Sequence, residues 1–212
     1  MKRKLSCIFR RLYSAFGRQY WWPAQSAFEV MVGAILTQNT SWSNVEKAIA
    51  SLKKKKLLDA EKIYKLPTKK LSGLIKPAGY YNIKAARLKN FLKFFFDNYS
   101  LSLEKIFSAD LGTLRRQLLG VNGIGQETAD SILLYALNKP VFVVDAYTKR
   151  ILLRHKLIKA GAGYSSVQEV FMKNLKNNAG LFNEYHALLV KLGKEYCHKR
   201  SPKCEACPLN GK

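Results

Sequence analysis

The chain has 212 residues, 48% of them apolar, enough to bury a substantial core in one or two compact domains. Its 37 lysines and arginines against 14 aspartates and glutamates give a formal charge of +23, spread along the chain, which points to a polyanion, nucleic acid rather than a membrane surface, with binding that weakens as salt rises. No apolar run reaches the length of a membrane span, and Arg10, Arg11 and Arg18 interrupt any signal-peptide core, so a cytoplasmic, nucleoid-associated protein with no membrane partner is expected.

Residues 3–16 place Ile8, Phe9, Leu12, Tyr13 and Phe16 at helical spacing with arginines opposite, predicting a first helix that ends at Gly17. Tyr20-Trp21-Trp22-Pro23 then groups large rings at a helix start, the position where proline is best tolerated. From Pro23 an apolar helix is predicted through Phe28, Val30, Met31, Val32, Ile35 and Leu36. It runs into Thr37-Gln38-Asn39-Thr40-Ser41-Trp42, where polar groups abruptly replace the apolar face. Residues 44–56 predict a helix ending in a solvated run, Lys53 to Lys56. Further helices follow at 59–65, 68–75 and 82–98, punctuated by Pro67, Pro77 and Gly79; Tyr81, Asn82 and Lys84 are expected as scaffold first and as backbone contacts second. Phe91, Leu92, Phe94, Phe95 and Phe96 make the last of these heavily buried, and 103–118 leads on.

Residues 118–145 are the centre of the sequence. Gly120, Gly123 and Gly125 fall between the apolar Leu118, Leu119 and Val121 and an apolar helical run of Ala129, Ile132, Leu133, Ala136 and Leu137, predicting a tight hairpin between packed helices. Small residues there leave backbone amides bare at a helix start, a site for phosphate bound without regard to base sequence. After Pro140, Val141 to Val144 form an apolar wall that ends on a poorly hydrated carboxylate, Asp145. Amphipathic helices are predicted at 147–157, 167–175 and 181–193, the first basic through Lys149, Arg150 and Arg154, and the last enclosing His186 as a buried hydrogen-bonding residue.

Cys197, Cys204 and Cys207 put three thiolates in eleven residues of a protein expected in a reducing compartment, which favours a metal over disulfides. A zinc site made of these three cysteines and His198 is the weaker option, because His198 adjoins Cys197. His198, Lys199, Arg200 and Lys203 between the first two cysteines make the loop a candidate phosphate clamp.

Gly123-Ile124-Gly125 with Thr128-Ala129, followed by Val143-Val144-Asp145, resembles the helix-hairpin-helix and Gly/Pro-Asp signature of the endonuclease III superfamily of DNA glycosylases. Trp21-Trp22-Pro23, with Leu36-Thr37-Gln38-Asn39-Thr40 and then Trp42, is similar to its 3-methyladenine DNA glycosylase branch, and the cysteine spacing is similar to its iron–sulfur loop. The resemblance implies an all-α, two-lobed helix-hairpin-helix DNA glycosylase fold with a C-terminal iron–sulfur loop. One lobe is a six-helix barrel over 24–139 with the hairpin at about 113–137; the other joins 1–23 to 140–212, with the Cys-rich loop at 197–212, and a cleft between them holds Asp145. Residue by residue, it gives Asp145 the role of driving loss of the damaged base. Glu127 stands where strand-cutting members carry a lysine, and a carboxylate forms no Schiff base, so a monofunctional enzyme is expected. Gln38 is expected to fill the gap left in the duplex. Trp22 and Trp42, with Trp21 beside them, are expected to hold the flipped base, and two indoles around a cationic alkylated purine gain on the order of 0.5–2 kcal/mol. Gly123, Gly125, Gln126, Thr128, Lys149, Lys199, Arg200 and Lys203 are the expected DNA contacts. A [4Fe–4S] cluster on Cys197, Cys204 and Cys207 needs a fourth ligand, expected at position 213 just past the last residue given, with Cys7 as a substitute; no organic cofactor is expected. The partner is a double-stranded DNA with a flipped damaged base, met by a monomer. Two alternatives stay open: a glycosylase/lyase for oxidised pyrimidines using Lys139 or Lys149, and a non-catalytic lesion-binding module.

Overall fold

The structure is a computed structural model that describes residues 1–22 and 24–211; the helix start expected at Pro23 lies outside the described residues. In chain order the helices are α1 (Lys2–Phe16), α2 (Ala27–Leu36), α3 (Trp42–Lys54), α4 (Ala60–Lys65), α5 (Thr68–Leu74), α6 (Tyr81–Tyr99), α7 (Leu103–Ser108), α8 (Leu111–Leu119), α9 (Gln126–Ser131), α10 (Ala146–Arg154), α11 (Tyr164–Met172) and α12 (Ala179–Glu195). A 3-10 turn at Lys76–Ala78 and a π-helical turn at Ile132–Ala136 complete the regular structure, which is all-α among the described residues. No described helix is long and apolar enough to cross a membrane. The chain divides into two compact units, Ala24–Leu137 and Met1–Pro23 with Asn138–Lys212.

In the unit Ala24–Leu137, α2 is the central rod: every residue from Phe28 to Leu36 is buried. Ser26 caps it by accepting from the Glu29 amide at 3.2 Å. The Glu29 carboxylate, itself buried, pairs with Lys53 of α3 at 2.8 Å and accepts from the Gln25 amide at 3.1 Å. At the other end the carbonyl of Leu36 needs a donor, since the last turn of a helix leaves its carbonyls unbonded. Lys84 of α6 supplies it. Its side chain is 1% exposed, and Nζ donates to Leu36 O at 2.8 Å and Ala78 O at 2.6 Å, joining α2 to the 3-10 turn. Burial, with the nearby Arg87 charge, pulls that ammonium below its usual pKa.

The six-helix barrel expected here is more finely divided: eight α-helices lie among the described residues of this unit. Residues 103–118 hold two of them: Asp110 accepts from the Thr113 amide at 2.8 Å and starts α8 after the break at Ala109. The run expected to continue as one helix to Leu137 changes to a π turn at Ile132, and Leu137 N reaches back five residues to Ile132 O at 3.2 Å.

In the other unit, α12 is buried along one side through Phe182, Tyr185, Ala187, Leu188, Leu189 and Leu192. Tyr185 donates its hydroxyl to Leu5 O at 2.9 Å, and its ring meets Phe9 and Phe171 edge-on, both at 5.3 Å. Phe142 lies flat on Phe171 at 3.6 Å. α10 approaches α12 closely because Gly193 has no side chain; a Cβ there would stand 2.3 Å from the Tyr147 ring. The wall from Val141 to Val144 is buried, yet no strand forms. Side chains satisfy its backbone instead: Gln168 donates to Phe142 O at 2.7 Å, and the Tyr164 hydroxyl accepts from Val144 N at 3.3 Å.

The α8–α9 hairpin is clamped by an ion pair that no local sequence pattern singles out. Arg115 meets fully buried Asp130 through two bonds, Nε to Oδ1 at 2.7 Å and NH2 to Oδ2 at 3.0 Å. Removing one partner of such a pair strands the other, so Asp130→Ala is expected to lower stability by about 3 kcal/mol in a denaturant titration.

Candidate functional site

The hairpin loop between α8 and α9 is shaped by Gly123 at φ +93°, a left-handed backbone with the Arg87 side chain where a Cβ would stand, 2.3 Å from Cγ. Gly125 is exposed and serves as the N-cap residue of α9; Gln126 and Glu127 follow as its first two residues, the former half-buried and the latter exposed. Gln38, from the turn after α2, faces this loop. Its Nε2 donates to Gly123 O at 3.0 Å and to Thr128 Oγ1 at 2.9 Å, while Arg87 of α6 donates to its Oε1. Asn90 adds a bond to Asn122 O at 3.1 Å. Gln38 is thus a brace for the hairpin, and filling a gap in a duplex requires it to exchange these bonds. The Thr128 side chain is buried, and its Oγ1 accepts from Gln38. On α3, Trp42 is half-buried and donates Nε1 to Glu46 Oε1 at 2.9 Å, which holds the indole at the start of that helix.

In the unit built on α12, Asp145 is the N-cap residue of α10. Oδ1 accepts from the Thr148 amide at 2.7 Å, so a carboxylate sits on the positive end of the helix dipole. Oδ2 faces His186 of α12, Nε2 at 3.7 Å. The imidazole is buried, edge-on to Trp21 at 6.2 Å and to Phe142 at 6.4 Å. Burial pushes its pKa below the usual range, and the Asp145 charge opposes this only in part. The segment carrying the paired tryptophans is strained, with Tyr20 at φ 48° and Trp22 at φ 68°; such backbone costs about 1–3 kcal/mol per residue. Both tryptophans are half-buried. Trp21 Nε1 is enclosed with no hydrogen-bond partner among the described residues, and Lys194 lies over its ring at 5.9 Å.

The cysteine loop is held by arginines, whose part in it was not foreseen. Arg150 donates to Cys197 O at 2.7 Å and Gly193 O at 3.0 Å. Arg154 donates to Cys197 Sγ at 3.1 Å, His198 O at 2.7 Å and Lys199 O at 3.0 Å. Arg11 of α1 reaches Pro208 O at 2.8 Å and Asn210 O at 3.0 Å. The basic face expected on 147–157 therefore turns two of its arginines to the loop, while Lys149 stays half-buried and Lys199, Arg200 and Lys203 are exposed. Their i, i+4 spacing was the available signal. Cys197, Cys204 and Cys207 line one cavity of about 190 Å³ with Arg154. Burial raises the Cys207 thiol pKa, and a bond from the Leu209 amide at 3.4 Å works against that. Three thiols lining one cavity are the donor type an iron–sulfur cluster takes, but among the described residues they do not converge into a three-ligand metal site. His198 is absent from the described residues lining that cavity, which does not favour the zinc alternative.

Likeness to known proteins extends over most of the chain. A family model described as "HhH-GPD superfamily base excision DNA repair protein" matches residues 32–177, and one described as "Iron-sulfur binding domain of endonuclease III" matches 197–211. A protein of Methanocaldococcus jannaschii, provisionally named a DNA repair glycosylase, is 50% identical over 95% of this chain and 92% of its own length. The Thermotoga maritima endonuclease III is 27% identical over 86% of this chain and 80% of its own. Among solved structures, the H. pylori 3-methyladenine DNA glycosylase bound to 1,N6-ethenoadenine aligns with TM-score 0.76 and 29% identity, covering 92% of this chain and 95% of that one. A trapped endonuclease III–DNA covalent intermediate aligns with TM-score 0.83 at 20% identity, over 99% and 93%, a likeness of fold.

Unfolded, the His186 imidazole takes up a proton near pH 6.5, roughly the ordinary value; folded, it resists until lower pH. The stability of the neutral buried form is therefore complete above that pH and is lost as pH falls through it toward the lowered folded value. His186→Gln, which has no such proton to take up, is expected to show a smaller fall in melting temperature between about pH 7.5 and about pH 5.5 than the parent. Cys204→Ser is expected to reduce iron content and visible absorbance of the anaerobically purified protein, with the circular dichroism of the helices retained.

Proposed function

The chain belongs to the HhH-GPD superfamily of base excision DNA repair proteins, and from that premise we propose that it is a monofunctional DNA glycosylase releasing alkylated purines of the 3-methyladenine type. Trp22 and Trp42, with Trp21, are assigned to the damaged base swung out of the duplex. A cationic purine favours such electron-rich faces and already carries a weakened glycosidic bond. As that bond breaks, its electron pair leaves with the base, which becomes neutral and needs no proton. Positive charge grows on the sugar, where the Asp145 carboxylate stabilises it. Water then adds to C1′, its proton passing to Asp145 and on to solvent, and an abasic site remains.

The observation that carries the reading is a carboxylate in each unit, considered separately. Asp145 stands at the start of α10 with Oδ1 bound to the Thr148 amide and Oδ2 turned to His186. Glu127, exposed on the first turn of α9, occupies the position where the strand-cutting members resembled here use an amine. The H. pylori 3-methyladenine DNA glycosylase, among the solved relatives, supports the choice of alkylated purines. Lys149, Lys199, Arg200 and Lys203, with the hairpin amides around Gly123 and Gly125 and the side chain of Gln126, are assigned to the DNA backbone. Cys197, Cys204 and Cys207 would hold a [4Fe–4S] cluster together with a fourth ligand. When bound, it staples residues 197–211 into one ordered loop.

Endonuclease III relatives near 27% identity favour a second reading, a glycosylase/lyase for oxidised pyrimidines that uses Lys139 or Lys149. Borohydride trapping separates the two, since only a Schiff-base enzyme becomes covalently linked to damaged DNA. Asp145→Asn is expected to keep its affinity for duplex DNA while base release, followed by chromatography of bases freed from methylated DNA, falls by about 10²- to 10⁴-fold. Unchanged release would refute the assignment of Asp145.

A further inference from the structure

His186 stands behind the carboxylate on which the proposed function rests. We propose that His186 is a positioning residue for Asp145: as a neutral imidazole it holds Oδ2 ready, and on protonation it clamps that oxygen and withdraws it from the reaction. The inference rests on the reading of Asp145 as the acting carboxylate. It begins from the way the two carboxylate oxygens are divided. Oδ1 is committed to the Thr148 amide at 2.7 Å, so the carboxylate keeps one oxygen for chemistry, and that oxygen lies 3.7 Å from His186 Nε2.

The imidazole cannot swing away. Trp21 meets it edge-on at 6.2 Å from one side and Phe142 at 6.4 Å from another, and its side chain is 6% exposed. The Asp145 carboxylate is a charge acting on it. On its own helix, Tyr185 sends its hydroxyl to Leu5 O, and Glu184 accepts from the Gln19 amide at 2.7 Å. Lys194 rests on the Trp21 ring. From α10, Tyr147 packs against Gly193. A neutral ring in that place presents a dipole to Oδ2 and leaves the carboxylate its full charge. A protonated ring forms an ion pair at low dielectric, which spends that charge on the protein instead of on the sugar.

The acid limb of the reaction is therefore a property of the His186–Asp145 pair, and its signature is separable from folding. In protein labelled with ¹³C at the aspartate carboxyl, the Asp145 resonance, assigned by its loss in Asp145→Asn, is expected to shift in step with the His186 titration. In His186→Gln, folded by circular dichroism, that step is expected to vanish. In single-turnover release from dimethyl-sulfate-treated duplex DNA, His186→Leu is expected to be slower by about 10-fold with the dissociation constant for DNA unchanged. His186→Gln is expected to recover most of the rate at neutral pH and to lose the acid limb. A folded Gln variant whose Asp145 resonance and acid limb match those of the parent overturns the inference. If methylated DNA releases nothing even with the parent protein, the alkylated-purine reading falls, and the carboxyl titration still decides whether the imidazole governs Asp145.

Discussion

The bond from the Thr148 amide to Asp145 Oδ1 fixes where the carboxylate at the start of α10 stands. It begins that helix, places an anion on the helix dipole, and leaves the second oxygen facing His186. Other parts of the same unit keep that arrangement still. The extended wall Val141–Val144 delivers Asp145 and is anchored by Gln168 and Tyr164, which replace the hydrogen bonds that a neighbouring strand supplies in a sheet. Gly193 lets α10 lie close against α12. A shift in any of these moves the carboxylate.

Much of this was legible along the chain because it is written locally. Three glycines between apolar runs announce a hairpin, an apolar wall ending in one acid announces Asp145, and the cysteine spacing announces a metal loop. The long-range polar pairs were not legible. Arg115 and Asp130 read as ordinary surface charges on two helices until burial brings them together. Lys84 was expected as scaffold, but its two carbonyl partners, one of them 48 residues away, were not legible. Gln38 looked like a group presented outward, and its amide instead ties the turn after α2 to the hairpin. The break between α7 and α8, where Asp110 caps the start of α8, was not legible either.

The fold alone does not select the chemistry. An endonuclease III complex at 20% identity shares it with TM-score 0.83, a likeness of fold, so the chemistry has to be argued from side chains. On the function proposed here, position 127 is the one that matters most, since an amine can form a Schiff base and a carboxylate cannot. The strained turn that presents Trp21 and Trp22 is another local choice, in which backbone energy is accepted to set two indoles at fixed angles.

The unit built on α12 is made from both ends of the chain. Tyr185 finds Leu5 across 180 residues, and Arg11 finds Pro208 across 197. On the ribosome, α1 emerges before Ala24–Leu137 and then waits, its apolar side uncovered, while that whole segment is synthesised and is free to fold as its own unit. A helix made before that unit is thus packed only after it. A chain released before α12 is complete would carry a finished hairpin beside an orphaned first helix, a species for chaperones and proteases to sort.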